Sequence, residues 1–468
     1  MPPVGNQPAS IAGIYASEII STFDIDKPER LNVLFRARGD QGMGYFRMME
    51  SLGFKMPVAQ DKFEHDEEDW IHETFNSRDN EAAPGPGNII QITLDPVNLD
   101  SGNRFYPRVG DTVMFPDNEV TGTILAIDVT TPTAPVLDIS PNEITDDIGA
   151  VSAGQELIII SAAFSEGSDQ PEGTVSGTFH YDNDMQIIKE TLAATGSEMT
   201  NQKWFTQLSM PTSGGGFIPA YYLKGQMDTD YRMNLKIDGA LLFQKRTTNT
   251  NIDPNTNRQV KTTEGLIPYI RRVGNIINYT PGLFSVQRFN QIVKRLDKEW
   301  APKYICSLLG IDLDIEVEDT LVDYFKDTNI NYVQKDMATN LFYGNEGLAA
   351  SVGFRSFIKG SRTFGFKKMP IFSHAKLYGA PGYKTAGLGV FLPMTKKKNK
   401  LTDKDLPTFG VRYKKLGPYN RMMEVWNVSG AGPFPKVIST DLHQHFLRTH
   451  VGAHHMAGNQ MVLVDPSA

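Results

Sequence analysis

Ile218-Pro219-Ala220-Tyr221-Tyr222-Leu223-Lys224-Gly225-Gln226-Met227-Asp228-Thr229-Asp230-Tyr231-Arg232-Met233-Asn234-Leu235-Lys236-Ile237-Asp238-Gly239-Ala240-Leu241-Leu242-Phe243-Gln244-Lys245 is the longest helical stretch that the sequence predicts. Tyr222, Leu223, Met227, Tyr231, Leu235, Ile237, Ala240, Leu241 and Leu242 form a wide, uneven apolar stripe at helical spacing. Gly225 and Gly239 interrupt it and lower the local helix propensity. At about 1.5 Å per residue the continuous helix spans roughly 40 Å. A Gly-rich break, Ser213-Gly214-Gly215-Gly216, precedes it.

Toward the N-terminus the periodicity changes. From Asn88 to about Ala163, short β-branched runs such as Asn88–Leu94, Asp111–Phe115, Gly122–Val129 and Glu156–Ile160 are separated by Pro, Asn, Asp and Gly turns, which predicts a small β-barrel or β-sandwich. The loop Glu166–Gly173 follows, with nothing apolar to bury. Residues 1–35 have little regular periodicity and read as an extended arm that orders only against something else. Met43, Phe46, Met49 and Leu52 predict a short amphipathic helix between Asp40 and Lys55. Toward the C-terminus, Ser285 is placed to cap a helix whose apolar face runs through Phe289, Ile292, Val293, Leu296 and Trp300, its hydroxyl accepting a free backbone N–H. Beyond residue 350 the chain returns to strands and Gly/Pro turns. Strand insert, long helix, mixed region and terminal strands make an α+β order, unlike the regular alternation of a doubly wound enzyme.

The 468 residues are 40% hydrophobic and 21% charged, ordinary usage for a folded, water-soluble chain. No run of about eighteen apolar residues predicts a membrane span, and the N-terminus lacks a basic residue ahead of an apolar run. Cys306 is the single cysteine, in the run Tyr304–Leu309 that reads as helical, so it is expected to be a buried, inert thiol in a reducing cytoplasm. The net charge of −8 hides an asymmetry: Phe354–Arg421 holds sixteen Lys or Arg against Asp403 and Asp405, a balance of +14 that leaves −22 elsewhere. Lys367, Lys368, Lys396, Lys397, Lys398, Lys414 and Lys415 are the basic candidates for facing DNA or an acidic neighbouring subunit, with a solvated face as the simpler reading.

Enzyme signatures are missing. Gly379-Ala380-Pro381-Gly382-Tyr383-Lys384-Thr385 only imitates a phosphate loop, because Tyr383 separates the glycine from Lys384 and Pro381 removes a backbone donor. No dinucleotide fingerprint, zinc-protease helix or nucleophile elbow occurs. Five histidines, His443, His445, His450, His454 and His455, crowd the C-terminal region. On a strand His443 and His445 share a face and are weak metal candidates, with aromatic packing or a subunit surface as the simpler reading. Asp312, Asp314, Glu316 and Glu318 alternate with Leu313, Ile315 and Val317, which reads as a strand with four aligned carboxylates, a solvent- or partner-facing stripe before a cation site. The acidic run Glu64–Asp69, ahead of Trp70, Ile71 and Phe75, reads as a solvated helix face. Arg38-Gly39-Asp40 is a chance tripeptide. No catalytic residue, cofactor or metal is expected.

Taken in order, these segments resemble the major capsid proteins of tailed double-stranded DNA bacteriophages, most of all the crAss-like group. The resemblance runs through Val109-Gly110-Asp111-Thr112-Val113, Ser152-Ala153-Gly154-Gln155-Glu156, the Pro219–Lys245 helix, Thr263-Glu264-Gly265-Leu266-Ile267-Pro268-Tyr269-Ile270, Leu377–Tyr383, Gly387–Pro393 and the closing Val451–Val464. It implies an N-terminal arm and short helix (1–58), an elongated loop region (59–210) carrying an inserted β-barrel at about 88–175, and a peripheral domain with a spine helix (211–262). An axial domain (263–349) and late strands shared between the two domains (350–468) complete it. The implied role is structural and non-enzymatic: hexamers and pentamers closing into an icosahedral shell around phage DNA, in a virion assembled in the host bacterial cytoplasm. The implied partners are further copies of the chain, portal, scaffolding and auxiliary capsid proteins, and packaged DNA held without sequence preference. A separate scaffolding protein and no Lys–Asn cross-link are expected. The alternative is another virion part, a head decoration, tail or fibre component, which would be β-dominated throughout.

Overall fold

The structure, a computed structural model, describes residues 44–68, 74–94, 107–131, 133–171, 178–200, 210–211, 217–218, 220–326, 355–359, 361–373, 385–398, 405–432 and 434–466. The expected arm, the Gly-rich break, the Arg38–Asp40 tripeptide and all but Thr385 of the phosphate-loop mimic lie outside the described residues.

In chain order, α1 (Tyr45–Ser51) leads into β1 (Lys55–Val58) and β2 (Lys62–Glu68). The strands β3 (Thr74–Asn76), β4 (Ile90–Thr93), β5 (Asp111–Met114), β6 (Thr121–Asp128), β7 (Val136–Pro141) and β8 (Glu156–Ala162) follow. β9 (Thr178–Asp184) pairs with β2, and β10 (Gln186–Thr195) comes next. Then come α2 (Ala220–Phe243), α3 (Leu266–Val273), β11 (Asn275–Asn278), α4 (Val286–Lys298), β12 (Tyr304–Leu309) and α5 (Ile311–Lys326). The chain ends with β13 (Arg355–Lys359), β14 (Arg362–Lys368), β15 (Gly389–Pro393), β16 (Lys396–Lys398), β17 (Asp405–Pro407), β18 (Phe409–Leu416), β19 (Glu424–Ser429), β20 (Leu442–His455) and β21 (Val462–Asp465). The fold is α+β, and the four longer helices, of 24, 8, 13 and 16 residues, already exceed a tenth of the 468-residue chain.

The chain forms two compact units, residues 64–181 and the remainder. In the smaller one, alternation does the folding. Ile90 and Ile92, Leu137 and Ile139, and Leu157 and Ile159 point inward at every second position and join Phe75, Val113, Phe115 and Ile124 in one core. The six strands lie in the antiparallel order β3-β8-β5-β6-β7-β4. Its two edge strands meet where Ser77 bridges Leu94 and the Arg78 N–H donates to the Thr93 carbonyl at 2.8 Å. Register shifts at Thr112/Val113 and Ile124/Ala126 supply the bends such curvature needs.

The larger unit contains two further six-stranded sheets. In the first, β1-β18-β20-β10, the 14-residue β20 pairs with β10 along one side from Leu442 to Val451. Along the other side it pairs with β19 and then with β18. α2 lies on this sheet against β10 and β20 and buries Met233, Ile237, Leu241 and Leu242. Met227, expected on the apolar stripe, is instead 55% exposed. Gly225 sits where α2 passes β10: a Cβ there would lie 3.0 Å from the Leu192 side chain, so the residue that weakens the helix also permits its close approach.

The second sheet, β11-β21-β15-β12-β14-β13, is mixed, with β11 parallel to β21 and β12 parallel to β14. α4 and α5 supply Phe289, Ile292, Leu296, Leu313 and Val317 to a core shared with Phe364, Phe366 and Phe391 of the sheet. Four expectations are corrected here. Cys306 lies in a central strand, not a helix: a strand buried on both faces is continuously apolar and loses the alternation that marks strands. Asp312–Glu318 is helical, with Leu313 and Val317 one turn apart in the core, so the four carboxylates do not share a strand face. Glu64–Glu68 belongs to β2 rather than to a helix. Ser285 does hold the N-cap position of α4, but its hydroxyl makes no capping bond, and Trp300 lies beyond the helix end, 79% exposed.

Candidate assembly surfaces and buried polar sites

Among the described residues the basic stretch is distributed over several elements. Lys367, on β14, is only 6% exposed, and burial pushes its pKa down. Lys368 beside it is exposed, as are Lys396 and Lys415. Lys396, Lys397 and Lys398 form β16, whose backbone pairs with β17 in a register that sets Lys398 opposite Asp405. Lys414 on β18 donates to Asp61 and holds that carboxyl below its ordinary range. Charge that is contiguous in sequence is thus divided between the two sheets and a ribbon, and partly consumed inside the fold.

All five C-terminal histidines lie on β20 and are at most 5% exposed. Strand alternation sends His443 and His445 to the face opposite His450 and His454. His443 stacks on Phe434 with centroids 4.1 Å apart, and His445 Nδ1 lies 2.7 Å from Asn427 Oδ1. His454 Nδ1 accepts from Arg412 Nε at 3.3 Å, and His455 packs on Tyr269 at 5.0 Å. His443 and His455 are packed on aromatic rings and His445 and His454 have polar partners; among the described residues no group of three or more His, Cys, Asp or Glu could hold a metal ion. Burial lowers the pKa of His443 and His445, and burial together with the Arg421 charge lowers His450 to about 4. His450 Nε2 is 3.7 Å from Asp61, which partly opposes that shift.

A histidine kept neutral by its surroundings makes acid unfavourable. Between pH 6.5 and about 4 the unfolded chain binds the proton that folded His450 refuses, so its contribution is complete above pH 6.5 and is lost as pH falls through 4. Replacing His450 by Gln is expected to remove this acid-side loss. Urea midpoints at pH 7 and pH 5 check it: the pH 5 midpoint must gain on the pH 7 midpoint in His450→Gln relative to the parent.

Two buried charged groups escaped the sequence reading because each serves a helix far away in the chain. Asp238, on α2 and 4% exposed, accepts the Phe46 N–H at 2.7 Å and also the Tyr45 N–H, at the start of α1. The local N-cap, Gly44, contributes no side-chain bond, and a Cβ on it would collide with the Asp238 carboxylate. Burial pushes Asp238 up to about 7 against the opposing pull of those two N–H groups. Arg362, on β14 and 7% exposed, does the converse at the end of α4. Its Nε donates to Asp297 at 2.7 Å, its Nη2 to the Leu296 carbonyl at 3.2 Å, and its Nη1 to the carbonyls of Ala301 and, at 2.8 Å, Pro302.

Beside the ends of β2 and β9, Asp182 takes Lys62 at 2.9 Å and Arg246 at 2.8 Å, and Arg246 also reaches Asp184 at 2.8 Å. The Arg246 and Lys62 hydrogen bonds hold the Asp182 carboxyl far below the usual range. This cluster ties the two strand ends together.

No protein-family model and no curated protein matches the sequence. Solved structures do resemble it along nearly its whole length. A chain from Mycobacterium phage Bobi aligns with TM-score 0.41 at 8% identity, covering 98% of this chain and 100% of that one. One from Microbacterium phage Oxtober96 gives 0.40 at 7%, over 97% and 100%. The capsid of an empty GTA particle computed with C5 symmetry gives 0.37 at 7%, again over 97% and 100%.

Proposed function

We propose that the chain is the major capsid protein of a tailed double-stranded DNA bacteriophage, of the crAss-like kind its sequence resembles, acting as a structural subunit and not as an enzyme. The observation that supports this most directly is the division of the larger unit. One sheet carries the 24-residue α2 along its long strands, a second sheet carries α4 and α5, and the chain's last strands, β20 and β21, pass from the first sheet to the second. These take the parts of a peripheral domain with its spine helix and an axial domain. Residues 64–181 take the part of the small inserted barrel on the elongated loop.

On this reading copies associate as hexamers and pentamers in an icosahedral shell, with portal, scaffolding and auxiliary proteins as further partners. The exposure of Lys368, Lys396 and Lys415 supports them as the basic residues that meet DNA or a neighbour, whereas Lys367 is buried and Lys414 is paired with Asp61. Negative-stain electron microscopy of the purified protein, expressed alone and with its neighbouring phage genes and sized in solution first, tests the reading. Closed shells, tubes or six-fold rings are the expected result; a persistently monodisperse monomer or trimer under both conditions overturns it.

A further inference from the structure

α4 ends in a Schellman turn: the Ala301 N–H donates to the Leu296 carbonyl at 2.9 Å and the Trp300 N–H to that of Asp297 at 3.1 Å. The position between them needs a left-handed backbone and is usually glycine. Here it is Trp300, at φ 49° and 79% exposed. A bulky side chain is therefore held in an unfavourable backbone region without burial in its own subunit. The turn is also fixed in place. Arg362 grips the Leu296, Ala301 and Pro302 carbonyls, while Asn459 donates to the Glu299 carboxylate at 3.0 Å and Gln460 to its carbonyl at 3.3 Å. An exposed tryptophan on a fixed turn has the properties of an interface anchor, because little backbone freedom remains to be lost on binding.

The surroundings say what it meets. The outer face of α4 beside it presents Lys294, Arg295 and Lys298, all exposed. α5, covering the same face of the same sheet, presents the opposite surface: exposed Asp312 and Asp319 at helical spacing around Ile315, which is 52% exposed. Basic residues with an aromatic anchor on one helix match acidic residues with an apolar centre on the other. A single copy cannot bring its own two outward faces together, since both helices are already fixed to the sheet through Phe289, Leu296, Leu313 and Val317.

We propose that the α4 face with Trp300 in one copy docks on the α5 face around Ile315 in the next, a head-to-tail contact that closes copies into a ring. Two different surfaces meeting in this way generate a ring when the rotation closes, and opposite charge sets the order of approach. The inference rests on the shell reading and supplies it with a specific contact.

Assembly of the full chain, followed by sedimentation and negative-stain microscopy across protein concentration, tests it. Lys294→Glu with Lys298→Glu should raise the concentration for half-assembly at least tenfold, and adding Asp312→Lys with Asp319→Lys to the same chain should restore it. Trp300→Gly should weaken assembly to a similar extent while leaving the thermal midpoint of the unassembled subunit unchanged or higher, since glycine suits the left-handed position. Should the parent assemble while either the charge-reversed pair or Trp300→Gly assembles at parental concentration, or should the four-fold exchange fail to restore assembly, the contact is wrong and the shell reading stands. A parent that assembles under no condition overturns both.

Discussion

Replacing Arg362 by Ala is expected to lower the stability of the larger unit by about 3–5 kcal/mol, the scale for breaking a buried charged network by removing one partner. The ion pair with Asp297 is the smaller part, because the Asp297 side chain is 53% exposed and water screens it. The larger part lies in the carbonyls. The last carbonyls of a helix have no partner within the helix, and those of Leu296, Ala301 and Pro302 converge on one guanidinium. Without it the Ala301 and Pro302 carbonyls lose this donor and the Leu296 carbonyl keeps the Ala301 N–H, at about 1–3 kcal/mol for a fully buried group left unpaired. Arg362→Lys should recover only a minor share, since one ammonium cannot reproduce a planar fork that serves three carbonyls and a carboxylate. Urea unfolding followed by circular dichroism measures the loss, and hydrogen exchange should place it at the C-terminal turn of α4. A loss under 1 kcal/mol for Arg362→Ala would show that water replaces the clamp without penalty.

This arginine illustrates where sequence reading stops. The long helix over 218–245 was legible because its apolar residues recur at helical spacing, and it forms over Ala220–Phe243. The strand after Asn88 was legible because Ile90 and Ile92 alternate with the polar Gln91 and Thr93. Both patterns report a boundary between core and solvent. Tyr304–Leu309 has no such boundary, being buried on both faces, so a central strand and a helix look alike. Asp312–Glu318 fails for a different reason. Its strict alternation is a true period of two, but Leu313 and Val317 also satisfy the helical spacing, and Asp312 and Asp314 in the first turn favour a helix N-terminus electrostatically.

The candidate sites were less legible than the fold. Lysines adjacent in sequence suggested one basic surface, yet the signal for which of them reach solvent lies in pairing partners far along the chain. Lys414 meets Asp61, and Lys367 sits beside the core strand β12 at a position opposite Leu308. The histidines of β20 were recognisable as a cluster, with His443 and His445 on one strand face. What decides their chemistry is the company of Phe434, Asn427, Arg412 and Tyr269, none of which is near enough in sequence to be paired with them by spacing. In sequence Asp238 looks like an ordinary helix residue. A polar position inside an apolar stripe, next to Gly239 and followed by Ala240-Leu241-Leu242, was the available hint that a carboxylate there faces inward to a partner.

Asp238→Ala is expected to detach the start of α1, with a loss of about 2–4 kcal/mol, because the Phe46 and Tyr45 N–H groups lose their acceptor in a fully buried place. Asp238→Asn separates that role from charge, since an amide oxygen still accepts. Its signature is the pH dependence. Folded Asp238 titrates at about 7 and the unfolded residue near the ordinary carboxylate value, about 3.9, so between them the folded chain holds a proton that the unfolded chain has released. Stability from this group is therefore complete below about pH 4 and is lost as pH rises through 7, by on the order of 4 kcal/mol. His450 acts in the opposite sense across an overlapping range, losing stability as pH falls from 6.5 through 4. The parent should consequently show a flatter profile between pH 4 and 7 than either single variant: Asp238→Asn falls more steeply toward acid, and His450→Gln more steeply toward neutrality. Denaturation midpoints at pH 4.5, 5.5 and 6.5 for the three proteins decide the matter, and parallel curves would mean that neither buried group changes its proton occupancy on folding.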